Sequence, residues 1–166
     1  PTKGGRRARA ASPMNRIADL LSPAHVAVGV DAASKRDLFA TVAGLFEASG
    51  GIARASVVDA LTAREKLGST GLGQGIAIPH GRIRGLRDAR GAFVRLAQPI
   101  PFDAPDGRPV SQVFVLLVPE QATEQHLELL SELAQMFSER GFRERLAAAP
   151  DAAAAWSAIR DWAPVA

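Results

Sequence analysis

The chain has 166 residues, 47% hydrophobic and 5% aromatic, with a formal net charge of +3; this fits one folded domain with a mainly aliphatic core and excludes an intrinsically disordered chain. No cysteine is present, which excludes disulfides, thiolate metal sites and cysteine nucleophiles. The longest apolar runs, such as Val113 to Pro119, are too short to span a bilayer.

The net charge has a local origin. Lys3, Arg6, Arg7 and Arg9 lie in the first 13 residues, which contain no acidic residue; taking these 4 from the 20 basic residues leaves 16 against 17 acidic ones from Met14 onward, a net of −1. Residues 1–13 therefore read as a basic disordered tail or expression remnant, with a polyanion-binding arm as the minor alternative, and Met14 reads as a native start. Nothing in this balance points to nucleic acid as a partner. No uninterrupted apolar segment follows the basic start, so no signal peptide or membrane insertion is expected, and the cytoplasm is the default location.

Residues 25–30 alternate as a short strand. Ser34, with Asp37 three places on, predicts a helix start; Leu38, Phe39, Val42, Leu45 and Phe46 continue at helical spacing until Gly50-Gly51. A second helix is predicted from about Arg54 to Leu67, ending at Gly68. The segment Gly68 to Gly75 has four glycines in eight residues and leads into a short apolar strand, Ile76-Ala77-Ile78, broken by Pro79 before His80. Gly91 to Ala97 reads as a strand, and Pro99, Pro101, Pro105 and Asp106-Gly107 mark a turn-rich connection. Val113 to Val118 is a continuous apolar run suited to a sheet centre covered on both faces. Thr123 is the expected cap of a helix reaching about Glu139, with Leu127, Leu130, Leu133, Ala134 and Phe137 inward. Two shorter helices are expected near 141–148 and 151–162, the second packing Trp156, Ile159 and Trp162. Strands interspersed with helices predict an α/β fold over 14–166 with helices flanking a sheet.

His80 is the leading candidate for chemistry among the three histidines. It is expected at the C-terminal end of an apolar strand, where ligands commonly meet α/β proteins. Pro79 stiffens the approach and Gly81 leaves room for a bulky group. A phosphoryl-accepting histidine needs an open ring nitrogen and donors for the incoming oxygens. The amides of the glycine-rich turn, including Gly71, would form an anion nest, and Ser69 and Thr70 add hydroxyls. Read alone, His80 is equally a loop histidine without a special role.

Arg64 follows Val57 and Leu61 at i, i+4, i+7 spacing, on an inward helix face close to Ser69 and Thr70. Its planar fork suits phosphate, although a snorkelling arginine at a helix C-terminus is an equal reading. His126 shares a helix face with Leu130, Leu133 and Phe137 in the first turn after Thr123, where positive potential favours a neutral imidazole able to donate to a phosphate. A plain core histidine competes with that reading. His25 reads as structural or surface. The glycine segment matches neither G-x-x-x-x-G-K-[ST] nor G-x-G-x-x-G, and the histidines with Glu124 or Glu128 lack H-E-x-x-H spacing, so no nucleotide, metal or other cofactor is expected.

The run Gly68-Ser69-Thr70-Gly71-Leu72-Gly73-Gln74-Gly75-Ile76-Ala77-Ile78-Pro79-His80-Gly81 resembles the active-site signature of enzyme IIA domains of the bacterial phosphoenolpyruvate phosphotransferase system, of the fructose/mannitol type and its nitrogen-regulatory branch. Arg64-Glu65-Lys66-Leu67, Phe102 to Gly107, Leu117-Val118-Pro119-Glu120 and His126-Leu127 extend the resemblance over about residues 14–163. It implies a single-domain sandwich of helices around a mixed β-sheet. It also implies that Nε2 of His80 accepts a phosphoryl group from phosphorylated HPr or its counterpart NPr. Arg64 and His126 would stand beside the phosphohistidine, with Ser69, Thr70 and Gly71 in the adjoining loop.

Three functions are compatible with these residues. In the first, phosphorylation of His80 controls binding to regulatory targets of the potassium-transport or sensor-kinase type. The second is a sugar-transport IIA passing phosphate to a fructose- or mannitol-type IIB. The third is a non-catalytic binding module that keeps the pocket as scaffolding. Homodimer formation is left open.

Overall fold

A computed structural model describes residues 15–121 and 124–163; the tail, Met14 and the expected Thr123 cap lie outside them. In chain order the elements are α1 (Arg16–Leu20), a 3-10 turn (Pro23–His25), β1 (Val26–Val30), α2 (Lys35–Gly50), α3 (Arg54–Lys66), β2 (Gly71–Gly73), β3 (Ile76–Ala77), β4 (His80–Ile83), β5 (Arg90–Ile100), β6 (Val110–Pro119), α4 (Glu124–Ser138), α5 (Arg140–Ala148) and α6 (Ala152–Arg160). The strands form one mixed sheet in the order β1-β5-β6-β3-β2, with β4 also on β6. β5 and β6 are antiparallel, whereas β1 runs parallel to β5 and both β3 and β4 run parallel to β6.

β6 is the central strand, and its side chains alternate between two cores. Phe114, Leu116 and Val118 join Ile17, Leu129, Leu133, Met136, Phe142, Ile159 and Trp162 on the face covered by α1, α4, α5 and α6. Val113, Val115 and Leu117 join Leu38, Phe39, Val42, Phe46, Val57 and Leu61 on the face covered by α2 and α3. Both faces of the strand are dry from Val113 to Val118, which is why that stretch is apolar without interruption. The expected sandwich of helices about a mixed sheet is the observed fold.

Local signals account for most boundaries. Ser34 Oγ accepts the Asp37 amide at 3.2 Å, and Asp37 Oδ2 accepts the Ala33 amide at 3.1 Å, closing the first turn of α2 reciprocally. β5 runs three residues beyond the predicted Ala97 because its pairing with β6 is irregular between Arg95 and Ile100. Pro99 falls inside that irregular stretch, where a missing N–H breaks no ladder bond. Along α4 the predicted inward set needs correction. Leu133 and Phe137 are buried and Leu130 half-buried, but Leu127 is 66% exposed and Ala134 is exposed. Leu129 and Met136 complete the inward stripe instead, because the core-facing line is phased on 129, 133, 136 and 137.

β4 was not anticipated. Pro79 separates it from β3, yet both short strands lie along the same edge of β6, with Ile76 opposite Gln112 and His80 opposite Leu116. His80 therefore opens β4 rather than ending β3. The break is bridged by the Pro79 carbonyl, which accepts the Leu116 amide at 3.0 Å.

Candidate active site

The strand break places His80. With Ile78 outside both strands, its amide bonds to Thr70 O at 3.0 Å, and its carbonyl is free to accept from His80 Nδ1 at 2.9 Å. A carbonyl only accepts, so Nδ1 carries the proton and Nε2 keeps the ring lone pair. Burial pushes the His80 pKa below its usual 6.5; the Ile78 bond opposes this and the nearby Arg64 charge reinforces it. A neutral Nδ1–H tautomer with an unprotonated Nε2 results. Chemically, that is a nucleophile ready without prior deprotonation.

Gly81, the next residue, sets how near α3 comes. A Cβ there would lie 2.9 Å from Ala60 Cβ and 3.2 Å from the Ala60 backbone. The room that Gly81 leaves is taken up by α3 and not by a ligand. Arg64 stands one helical turn beyond Ala60, so the tight crossing brings it to the histidine.

A cleft of about 470 Å³ is lined by Ala60, Ala63, Arg64, Leu67, His80, Gly81, Arg82 and His126. The structure thus brings together the three residues singled out for chemistry. Arg64 Nη1 donates to Gly68 O at 2.8 Å, closing the C-terminal turn of α3; its remaining donors are uncommitted among the described residues. The His126 ring stands nearly perpendicular to that of His80, with centroids 5.3 Å apart. Its pKa is also pushed down, by burial first and then by His80 and Arg82. His126 Nδ1 is buried with no hydrogen-bond partner among the described residues. A proton is better placed on Nε2, which leaves that nitrogen as the donor.

Ser69, Thr70 and Gly71 are absent from this lining and are not brought to the ring. Their donors face Glu65 and the Phe102 loop. Thr70 gives its amide to Glu65 Oε2 at 3.1 Å and its hydroxyl to Oε1 at 2.6 Å. Ser69 Oγ donates to Phe102 O at 2.5 Å and accepts the Gly71 amide at 3.0 Å. Further along, Asp106 Oδ2 accepts the Gln74 amide at 2.8 Å. The amides of the expected anion nest are thus taken up by the Glu65 and Asp106 carboxylates and the Ser69 hydroxyl, and the segment is a braced hairpin that holds Thr70 O under Ile78.

Two residues here were not picked out from sequence. Glu65 pins the loop and also accepts from Lys35 Nζ at 2.8 Å, with only 7% of its side chain exposed. Its signal was its place beside Arg64 and five residues before Thr70. Arg82 donates to Glu120 O at 3.1 Å and lines the cleft; β-strand alternation from His80 places it on the same side of β4. His25 belongs to the core: it is 5% exposed, bonded to Ser49 Oγ and 5.0 Å from the Phe46 ring.

The family described as "Phosphoenolpyruvate-dependent sugar phosphotransferase system, EIIA 2" matches residues 19–162. The chain is similar to a nitrogen regulatory protein of Pseudomonas aeruginosa, 43% identical over 155 residues that cover 89% of this chain and 97% of that protein. It is also similar to a fructose-specific EIIA component of Haloferax volcanii, 40% identical over 93 residues, or 56% of this chain and 60% of that one. Among solved structures, the nitrogen regulatory protein IIA-Ntr of Neisseria meningitidis superposes with a TM-score of 0.81 at 48% identity, covering 86% of this chain and 98% of that one. The chain belongs to the enzyme IIA type-2 family of the phosphoenolpyruvate-dependent phosphotransferase system, within its nitrogen-regulatory branch.

Proposed function

We propose that His80 accepts a phosphoryl group from a phosphorylated HPr- or NPr-type carrier, and that its phosphorylation state governs binding to regulatory target proteins. The observation that carries this reading is the His80 Nδ1–Ile78 O bond, which leaves Nε2 as the lone pair of a residue lining an open cleft. In the transfer, the Nε2–P bond forms as the carrier's N–P bond breaks, and the carrier's nitrogen leaves with the bonding pair. The proton on Nδ1 stays where it is. Arg64 neutralises the transferring oxygens and His126 Nε2 donates to one of them, a division of labour suited to a reaction governed by alignment and charge.

Access suits a protein donor. Leu67 is 84% exposed on the rim of the cleft and Leu127, next to His126, is 66% exposed. These side chains are the docking platform for short-lived partners, whose interfaces bury less than about 1,200 Å². Ser69, Thr70 and Gly71 act by holding the loop and not by touching phosphate.

The test is incubation with enzyme I, its carrier and labelled phosphoenolpyruvate. Label is expected on the wild type and absent from His80→Ala; label persisting in His80→Ala removes the proposal. The similarity to a fructose-specific EIIA component favours a second reading, transport. Purified fructose- or mannitol-type IIB added to the labelled protein separates the two. Rapid loss of label to IIB supports transport, and retention supports the regulatory role.

A further inference from the structure

A second cleft, of about 760 Å³, lies away from His80 between the β2–β3 hairpin and the junction of α4 with α5. Its volume falls within the roughly 300–1,000 Å³ of small-molecule sites. Buried Ile76 and Phe137 contribute an apolar floor, and Leu72 is 45% exposed at its edge.

The rim carries three arginines from two separate segments: Arg108 before β6, and Arg140 and Arg143 on α5. Each guanidinium has five N–H donors and commits few of them. Arg143 Nη1 donates to Phe137 O at 2.8 Å, Arg108 Nη1 makes a long 3.4 Å bond to Gln74 Oε1, and Arg140 Nε pairs with exposed Glu144 at 2.9 Å. Of the three, only Arg140 is bonded to a carboxylate among the described residues. The nearby acid, Asp106, has its oxygens held by the amides of Gln74 and Arg108. Arg143 is fixed from behind, since its carbonyl accepts from Nε2 of buried Gln112. Planar, donor-rich cations around an apolar floor suit an anionic head group on an apolar body.

We propose that this cleft binds a small organic anion, with a phosphate or carboxylate head held by Arg108, Arg140 and Arg143 and an apolar part against Ile76 and Phe137. The site is independent of His80. His126, in the first turn of α4, and Ser138, at its last residue, are about 18 Å apart by helical rise.

Titration of the ¹⁵N-labelled full chain with phenyl phosphate, with benzoate and with uncharged benzyl alcohol tests the proposal. Saturable shifts are expected at the amides of Gln74, Ser138 and Arg140 with an anion and not with benzyl alcohol. The phosphate and benzoate arms show which head group is preferred. Arg108 and Arg140 are exposed, so Arg108→Ala and Arg140→Ala leave the fold intact; each is expected to weaken binding at least tenfold, while His80→Ala does not. Non-saturating shifts, equal shifts with benzyl alcohol, shifts confined to the His80 cleft, or unchanged affinity in both arginine variants would overturn it.

Discussion

Replacing Gly81 with alanine adds one methyl group at the crossing of β4 and α3. The new Cβ would sit 2.9 Å from Ala60 Cβ and 3.2 Å from the Ala60 carbonyl carbon and oxygen. Carbon pairs rest at about 3.5–4.0 Å, so the elements must separate by roughly 0.6 Å or more. No rotamer change relieves this, because the opposing atoms are backbone or a Cβ fixed to it. β4 is held in register on β6, with Gly81 opposite Leu117, and α3 is held by buried Val57 and Leu61. Overpacking of this kind costs about 1–3 kcal/mol, below the 5–15 kcal/mol typical of a whole domain, so Gly81→Ala is expected to fold. With a urea dependence of about 2 kcal/mol per molar, the midpoint falls by roughly 0.5–1.5 M. His80 labelling should slow as well, because Arg64 retreats with the helix. Ala60→Gly removes the opposing methyl group at a helix-propensity cost of about 1 kcal/mol, so the double variant should recover labelling beyond the sum of the single effects. An unchanged midpoint and labelling rate in Gly81→Ala would refute this account of how Arg64 reaches the histidine.

Arg64→Lys keeps the charge but loses the planar fork, and Arg64→Ala loses both. If hydrogen bonds to a charged group contribute about 1.5–3 kcal/mol, Arg64→Ala should slow labelling on the order of 10- to 100-fold with Arg64→Lys in between, read from single-turnover rates. Glu65→Ala strands the Thr70 amide and hydroxyl and leaves the Lys35 ammonium only its 3.5 Å contact with Asp103 and its place over the Phe102 ring; an equilibrium unfolding curve should show a loss of about 1–3 kcal/mol. All three histidines have pKa values pushed below 6.5, chiefly by burial. The unfolded chain therefore binds more protons between each folded value and 6.5, and stability falls as pH drops through that window. Urea midpoints between about pH 7.5 and 5.5 should decline, and His25→Gln should flatten the slope.

The helices and the sheet centre were legible because their signals are local. Ser34 and Asp37 close one turn, and Val113 to Val118 carries its burial in its own composition. β4 was hidden because Pro79 reads as a terminator. Only the register on β6 reveals that β3 and β4 continue along one edge. Arg64, His80 and His126 could be nominated from spacing and residue type, and the fold converges them on one cleft. The loop chemistry was misread for lack of long-range partners: the glycine-rich amides look free until Glu65, Phe102 and Asp106 are seen to occupy the segment. Along α4, helical spacing set Leu127 and Ala134 inward with Leu130, Leu133 and Phe137, whereas the buried line runs through Leu129 and Met136.

The Ile78 carbonyl has a consequence for the working range of the site. A carboxylate orienting an imidazole loses its grip when acid protonates it, but a peptide oxygen has no such transition. The hydrogen on Nδ1 therefore stays put wherever the ring itself is neutral. On the proposed transfer, a phosphoryl group arriving at Nε2 would leave that anchor in place, and the loaded and unloaded rings would share one orientation. Partner proteins would then distinguish the two forms by the added charge and volume alone, with no swing of the side chain to detect.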